Sequence, residues 1–392
     1  MEGIGISKYN FYYDETEHSR KINIKTIEAN NYYDNFTSVV IGWNSEKEKQ
    51  ISEKFNAFED KYSYCKIDGE FKSTTLKQKH FINGFASMNK QTVALVDDFL
   101  SLFNDDVLVN ITVASKIEYL VLQLFEGYEN NNQYNLDSIK YSITKALLVY
   151  QPKEIIQGMF ENTKEFLYSL RKFLNYRIKY NQKNKSLKIR ETEKFQEILL
   201  ILNEISKIKT IEWDYDISFY GLKKYLEENS INDFYLAIDK EGNGKTIEAA
   251  NNIGFYCTNE VESKNSFGVR MADILAGLFS KLLKALHNAL KYNSSDEYLK
   301  RKLIPEEWFL LRPDQLGVYH KLYFVILELN NCYYKIFSGI YSDDLLSLIS
   351  LLRYMYKFKT VEEMRKIDRR EHSEKFNEFT CSLIQDYFNK NM

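Results

Sequence analysis

Apolar and polar residues alternate in short runs near the start of the chain and recur every three or four residues further along. The first pattern predicts strands and the second helices. Residues 8–13 (KYNFYY) read as a strand ending at Asp14-Glu15, 21–27 (KINIKTI) as a half-buried strand, and 36–43 (FTSVVIGW) as a β-branched one. Short links between them predict an antiparallel meander. Residues 45–60 read as a charged amphipathic helix, with Ser45 and Glu48 at capping-box spacing. A turn is expected at 66–69. Glu70 then opens a helix or the loop before it, and a helix follows over 75–88. Residues 92–103 fit either a strand or a helix, and 107–114 (VLVNITVA) a strand.

From 116 to 209 the three-and-four spacing dominates, as in Ile198, Ile201, Leu202, Ile205 and Ile208, so several helices are expected. Residues 234–238 (FYLAI) form a short buried strand ending at Asp239, followed by a loop at 241–244 and a helix from about Thr246. A long helix covers 267–290. A hairpin is expected over 321–329 and 332–338, turning at Asn330-Asn331, with helices at 343–357 and 361–388. No repeat of 20–50 residues is visible. The fold class is α/β, in the sense of an α+β mixed sheet. Its core is divided between 1–115 and 210–290, with a helical insertion at 116–209 and an accessory region of hairpin and helices at 291–392.

Composition narrows the choice of partners. The 53 Lys+Arg against 55 Asp+Glu give a net charge of −2, which excludes a uniformly basic nucleic-acid binder and leaves only a local patch. Three prolines and 15 glycines argue against a many-turned sandwich or barrel. The cysteines, Cys65, Cys257, Cys332 and Cys381, have no CxxC spacing and fit a reducing cytoplasm. No signal peptide is read at the N-terminus. Charges interrupt the two most apolar stretches, 267–290 and 321–340, so no membrane span is expected.

The candidate chemistry lies in acids at element ends. Asp14 and Asp239 each end an apolar strand, Glu70 follows a turn, and Asp273 lies within the long helix. Converging carboxylates repel unless a divalent cation neutralises them, and oxygen-only ligation suits Mg²⁺ or Mn²⁺. Two such ions about 3.5–4 Å apart hydrolyse phosphodiesters. Asp273 sits beside the apolar face of its helix. Its small neighbours Ala272, Ala276 and Gly277 would let that helix approach other backbone closely, where a buried acid needs a partner or a metal.

The segments FYYDET (11–16), GEFK (69–72), FYLAID (234–239) and VESKNSFGVRMADILAG (261–277) together resemble a bacterial family of ribonuclease H-like proteins catalogued as domain of unknown function family 3800. The last is the most specific, with Ser263-Lys264 and Ala272-Asp273-Ile274-Leu275-Ala276-Gly277 in the family's order. Departures are Thr16 in place of a usual Ser and Val269-Arg270-Met271 in place of an Ile-Gln-Leu type. The likeness covers about 8–115 and 210–290. It implies a ribonuclease H-like sheet and a four-acid metal site with catalytic Asp14, Glu70 (at the start of the first helix), Asp239 and Asp273. Asp97 and Asp98 are rivals for the third position. Lys72 and Lys264, next to these motifs, would suit backbone-phosphate contacts or be ordinary surface lysines, and Arg270 is compatible with phosphate contact. The likeness also implies a mobile-element or phage-defence setting.

A second feature is local. Residues 171–190 carry eight Lys/Arg and no acid, with Phe173, Tyr176 and Tyr180 interleaved. Arg171, Lys172, Arg177, Lys179, Lys183, Lys185, Lys188 and Arg190 would neutralise phosphates while the aromatics stack on unpaired bases. A solvated helix end, an anionic membrane surface or an acidic protein are the other readings. A phosphate loop at 241–246 lacks its first glycine, because Asp239 stands there. His18 would touch substrate or solvent. Three functions are therefore carried forward: a Mg²⁺- or Mn²⁺-dependent nuclease, a non-catalytic nucleic-acid- or protein-binding module, and a metal-independent helical ribonuclease using Arg365 and His372. A homo-oligomer or a protein partner stays open.

Overall fold

The computed structural model describes residues 8–16, 32–67, 69–128, 135–161, 163–205, 216–240, 244–292 and 302–391. The expected strand at 21–27 and His18 lie outside them. The chain first forms β1 (Tyr9–Thr16), β2 (Asn35–Asn44), α1 (Glu48–Lys61), a short β3 (Ile82–Phe85), α2 (Lys90–Leu100) and β4 (Leu108–Ser115). Helices α3 (Lys116–Leu124), α4 (Leu136–Tyr150), α5 (Lys153–Glu161), α6 (Thr163–Asn181) and α7 (Lys185–Glu204) follow. Next come α8 (Ile217–Glu228), β5 (Phe234–Asp239), α9 (Lys245–Ile253), β6 (Thr258–Val261) and α10 (Phe267–Leu290). The last elements are α11 (Pro313–Tyr323), β7 (Ile336–Ser338), α12 (Asp343–Tyr356), α13 (Val361–Met364) and α14 (Arg369–Asn391).

The fold is a mixed α/β one, mostly helical, around a six-stranded sheet ordered β6-β5-β1-β2-β4-β7. β1, β2 and β4 pair antiparallel, while β5 joins β1, β6 joins β5 and β7 joins β4 in parallel. Alternate side chains of β1 serve opposite faces. Phe11 and Tyr13 pack with Phe219, Leu222 and Ala250 from α8 and α9. Tyr12 packs on the other face with α10 and the large core that α1, α2, α11 and α12 complete. Helices α3 to α7 gather a separate core around Leu120, Ile143, Phe166, Leu174 and Ile198. No helix among the described residues is long and apolar enough to cross a membrane.

Several expected elements take another form. Residues 75–88 are not a helix: they make two short turns, Ser73–Thr75 and Gln78–Phe81, and then β3. Gly84 holds φ +56°, and a Cβ there would lie 2.2 Å from the Tyr319 hydroxyl and 2.6 Å from Trp308. The left-handed backbone and the crowding both exclude a helix. Residues 92–103 fall mainly in α2, capped by Asn89, which accepts from the Thr92 N–H at 2.8 Å. The hairpin at 321–338 is absent. Instead α11 runs on into a π-helical turn over Phe324–Glu328, because Leu322, Val325, Ile326 and Leu329 are buried at helical spacing. Only Ile336–Ser338 is a strand. The helix expected at 361–388 is interrupted after Met364. Ser45 does not cap α1. A short turn over Ser45–Lys47 precedes it, capped by Asn44, and Glu48 instead accepts from Asn10 at 2.9 Å, Tyr12 at 2.6 Å and the Trp43 indole.

The helical insertion meets the C-terminal region through polar contacts. Tyr141 and Lys145 of α4 donate to Asp343 at 3.0 and 2.8 Å. In α3, the buried Glu118 accepts from the Ile340 N–H. Burial pushes the Glu118 carboxyl up to about 8, opposed by the Ile340 and Tyr341 N–H groups and reinforced by Asp34. A carboxyl raised on folding contributes stability that is full below its unfolded value of 4.5 and lost as pH rises through about 8. Glu118→Gln removes this term. In thermal melts, the difference in Tm, taken as the Glu118→Gln protein minus wild type, is therefore expected to grow from pH 5 to pH 8.5. A difference that stays constant over that window would contradict the assignment.

Candidate functional site

The register of the parallel strands builds the site. Tyr13 lies opposite Ile238, so Asp14 and Asp239 come one residue later at the same ends of neighbouring strands. By alternation both share the face of Tyr12 and Ala237, which is the face α10 covers. Small residues bring α10 close. A Cβ on Gly268 would fall 2.2 Å from the Tyr12 ring, and one on Gly277 2.3 Å from the Ser73 Cβ. Asp273 lies between these two contacts. Its Oδ2 accepts from the Ser73 N–H at 2.8 Å, and Lys281, two turns further along α10, reaches the Ser73 carbonyl at 3.3 Å.

Glu70 reaches the same place from a loop. No helix starts there: Ile67 and Glu70 form a reciprocal bridge, each N–H donating to the other's carbonyl. The buried Glu70 carboxylate accepts from Ser263 Oγ at 3.0 Å, with Lys72 Nζ at 3.5 Å and Lys264 Nζ at 4.0 Å. Asp14, Glu70, Asp239 and Asp273 thus line one cavity of about 230 Å³, together with Lys72, Ser73, Thr246, Ser263 and Arg270.

The acids feel one another. Burial raises the Asp14 carboxyl well above the usual carboxylate range. The charges of Asp273 and Asp239 push the same way, against one hydrogen bond from the Glu15 N–H at 2.6 Å. Burial also raises Asp273, while the Ser73 hydroxyl and N–H, Lys281 and Lys72 draw it back. The donor set is hard oxygen, which suits a Mg²⁺- or Mn²⁺-like ion. The side chains do not already converge as ligands: among the described residues, no group of three or more His, Cys, Asp or Glu is arranged to hold a metal ion.

Other expected contacts are used internally. Arg270 makes a two-pronged pair with Glu59 at 2.8 and 3.1 Å and donates to the Ser263 and Lys264 carbonyls at 2.9 and 3.0 Å. It fastens α1 and the 263–264 turn to α10 and is not free for phosphate. Asp97 and Asp98 stand on α2, where Asp97 pairs with Lys321 at 2.7 Å and Asp98 accepts from Tyr62 at 2.6 Å. Neither lines the cavity. In the insertion, Arg177 is buried, 3.8 Å over the Tyr150 ring and near Glu191. Arg171 donates to the Leu202 carbonyl, and Lys188 pairs with Glu191 at 2.8 Å. Arg171 and Arg177 thus join α6 to α7 and Lys188 pairs within α7, whereas Lys172, Lys179, Lys183, Lys185 and Arg190 are exposed. His372 is a core residue. Its Nε2 faces the Met364 carbonyl at 2.8 Å, its Nδ1 faces Tyr354 at 2.8 Å, and Phe309 stacks on it. Burial lowers its pKa, and both of its nitrogens are engaged by core partners.

Comparison with family models, with curated proteins and with solved structures finds no match to this chain. Sequence reading missed Ser73, Lys281 and Glu59. Only Gly277 pointed towards Ser73, as a gap in α10 into which a neighbour could pack.

The repulsion is open to test. In EDTA at pH 8, Asp273→Asn keeps an oxygen for the Ser73 N–H but removes one of the crowded charges. Its Tm is expected about 1 °C above wild type, as for about 1 kcal/mol in a chain of this size. Because the raised carboxyls favour the fold at low pH and lose that effect as pH rises, the gain should vanish towards pH 4. A lower Tm for the variant at pH 8 would show that Asp273 is stabilising where it stands.

Proposed function

We infer that the chain is a divalent-metal-dependent nuclease with a ribonuclease H-like core. One observation carries this reading: four carboxylates from separate segments line one cavity, and Asp14 is raised by burial and, in the same direction, by the charges of Asp273 and Asp239. Such an arrangement works against folding, and a divalent cation relieves it. The sheet supports the same reading, with three antiparallel strands (β4, β2, β1) continued by two parallel ones (β5, β6), Asp14 towards the C-terminal end of β1 and Asp239 at the end of β5. Asp14, Glu70, Asp239 and Asp273 would hold Mg²⁺ or Mn²⁺. When bound, such ions lower the pKa of water and stabilise the leaving oxygen of a phosphodiester.

The protein's own groups set the geometry. The Ser73 N–H and Lys281 fix the Asp273 carboxylate and the loop that touches it. Arg270 and Glu59 fix the turn bearing Ser263 and Lys264. Lys72 and Lys264 put positive charge beside the cavity, where a phosphate would lie. Exposed Lys172, Lys179, Lys183, Lys185 and Arg190, with Tyr176 60% exposed, give the insertion a surface suited to a nucleic-acid strand.

A second reading, a non-catalytic nucleic-acid- or protein-binding module, draws on the lack of a ready-made ligand group among the described residues. Cleavage separates the two. Single-stranded and duplex DNA and RNA should be cut by the purified protein with Mg²⁺ or Mn²⁺ and left intact in EDTA. Asp14→Asn and Asp273→Asn should each lose more than the roughly 10–100-fold expected from an outer-shell partner. Cleavage surviving in both variants would remove the mechanism, and activity in EDTA abolished by His372→Ala would replace it with the metal-independent one.

A further inference from the structure

We propose that Lys72 and Lys264 are exchangeable counter-ions of the site: they neutralise Glu70 in the cation-free protein and transfer to the phosphates of a nucleic-acid strand once a divalent cation has taken their place. The inference deepens the nuclease reading and rests on it.

The geometry around Glu70 points this way. Its carboxylate is buried, and both oxygens have cationic neighbours: Lys72 lies 3.5 Å from Oε2 and Lys264 4.0 Å from Oε1. Ser263 Oγ adds a hydrogen bond at 3.0 Å. A carboxylate engaged in this way is not presented as a metal ligand, in keeping with the missing ligand group among the described residues. The two ammonium groups are nevertheless loosely held. The Lys72 side chain is 42% exposed and that of Lys264 66%, and both ion pairs lie at the long end of the range. With ammonium groups this exposed, each pair costs side-chain entropy and is partly screened by water, so a dication at shorter range displaces them.

The backbone under the lysines is fixed while their side chains are not. Arg270 accepts no such exchange: its guanidinium is paired with the buried Glu59 and donates to the Ser263 and Lys264 carbonyls. Lys264 is therefore anchored at its main chain and free to swing at its tip. Lys72 is tied likewise, through the Thr75 N–H on its carbonyl at 3.0 Å. Released by a cation, both tips stay at the cavity edge, within reach of a phosphodiester bound there. A Lys ammonium is a flexible point charge suited to this change of partner, which the planar fork of Arg is not.

Three calorimetric and binding measurements on the full chain test the exchange. Mn²⁺ without nucleic acid should bind Lys72→Gln/Lys264→Gln about three- to tenfold more tightly than wild type, because two competing cations are gone. Lys240→Gln, which removes an equal charge paired with Glu262 at 3.0 Å, should change the affinity far less. A labelled 20-nucleotide single strand should bind the double variant and wild type equally in EDTA, and the double variant about three- to tenfold more weakly in Ca²⁺. Wild type binding Mn²⁺ with the double variant unchanged, or matched by Lys240→Gln, overturns the exchange alone. Equal weakening in EDTA and in Ca²⁺ also overturns it, since the lysines would then be ordinary phosphate contacts. Absence of Mn²⁺ binding in wild type overturns both the exchange and the nuclease reading beneath it.

Discussion

The close seating of α10 on β1 is the constraint on which the rest of the molecule depends. Gly268 lets the Tyr12 ring lie against the helix, and Gly277 lets the Ser73 loop do the same about two and a half turns later. Between those contacts α10 presents Asp273 to a sheet face that already carries Asp14 and Asp239. The helix brings an almost continuous apolar surface, including Met271, Ile274, Leu275, Leu278, Phe279 and Leu282, all buried. Burying that surface is the large favourable term, and it offsets the cost of pressing like charges together. A methyl group on either glycine would push the helix outward and open the cluster.

Charge in this chain is therefore arranged locally, and the total of −2 conceals it. Acids crowd one cavity, lysines stand at its edge, and Arg270, which also lines it, is used to hold α1 and the 263–264 turn to α10. The same economy recurs in the insertion. There Arg177 of α6 meets Glu191 of α7 and the Tyr150 ring at the end of α4, and Lys188 pairs with Glu191 within α7, while five other cations face outward. Structural and available cations alternate along one short stretch. Any nucleic-acid surface on the insertion is correspondingly narrower than its composition suggests.

Much of the framework can be read from the residues themselves. The bounds of α10 follow from its apolar stripe, and its approach to a neighbour follows from Ala272, Ala276 and Gly277. Asp239 is visible as an acid closing an apolar strand, and Asp14 as an acid after a run of aromatics, although β1 continues two residues beyond it to Thr16. The failures have physical causes. Leu76, Phe81, Phe85 and Met88 are all buried, yet they enter the core from irregular turns that Gly84 and Trp308 dictate, so their spacing imitates a helix. Glu48 has the spacing of a capping partner, but Asn10, Tyr12 and Trp43 claim it across the sheet. Arg177 and Arg270 are indistinguishable in sequence from phosphate-binding arginines, because their partners Glu191 and Glu59 are brought to them only by folding. Long-range pairing of this kind leaves no local signal.

Whether the acid cavity is a metal centre can be seen directly. Crystals grown with Mn²⁺ and measured at the manganese edge should show an anomalous peak at ligand distance from Asp14 and at least one of Asp239 and Asp273. The Glu70 carboxylate should be turned away from Lys72 and Lys264. A cavity without a peak at saturating Mn²⁺, with the Glu70–lysine contacts intact, would contradict a metal site formed by these four acids.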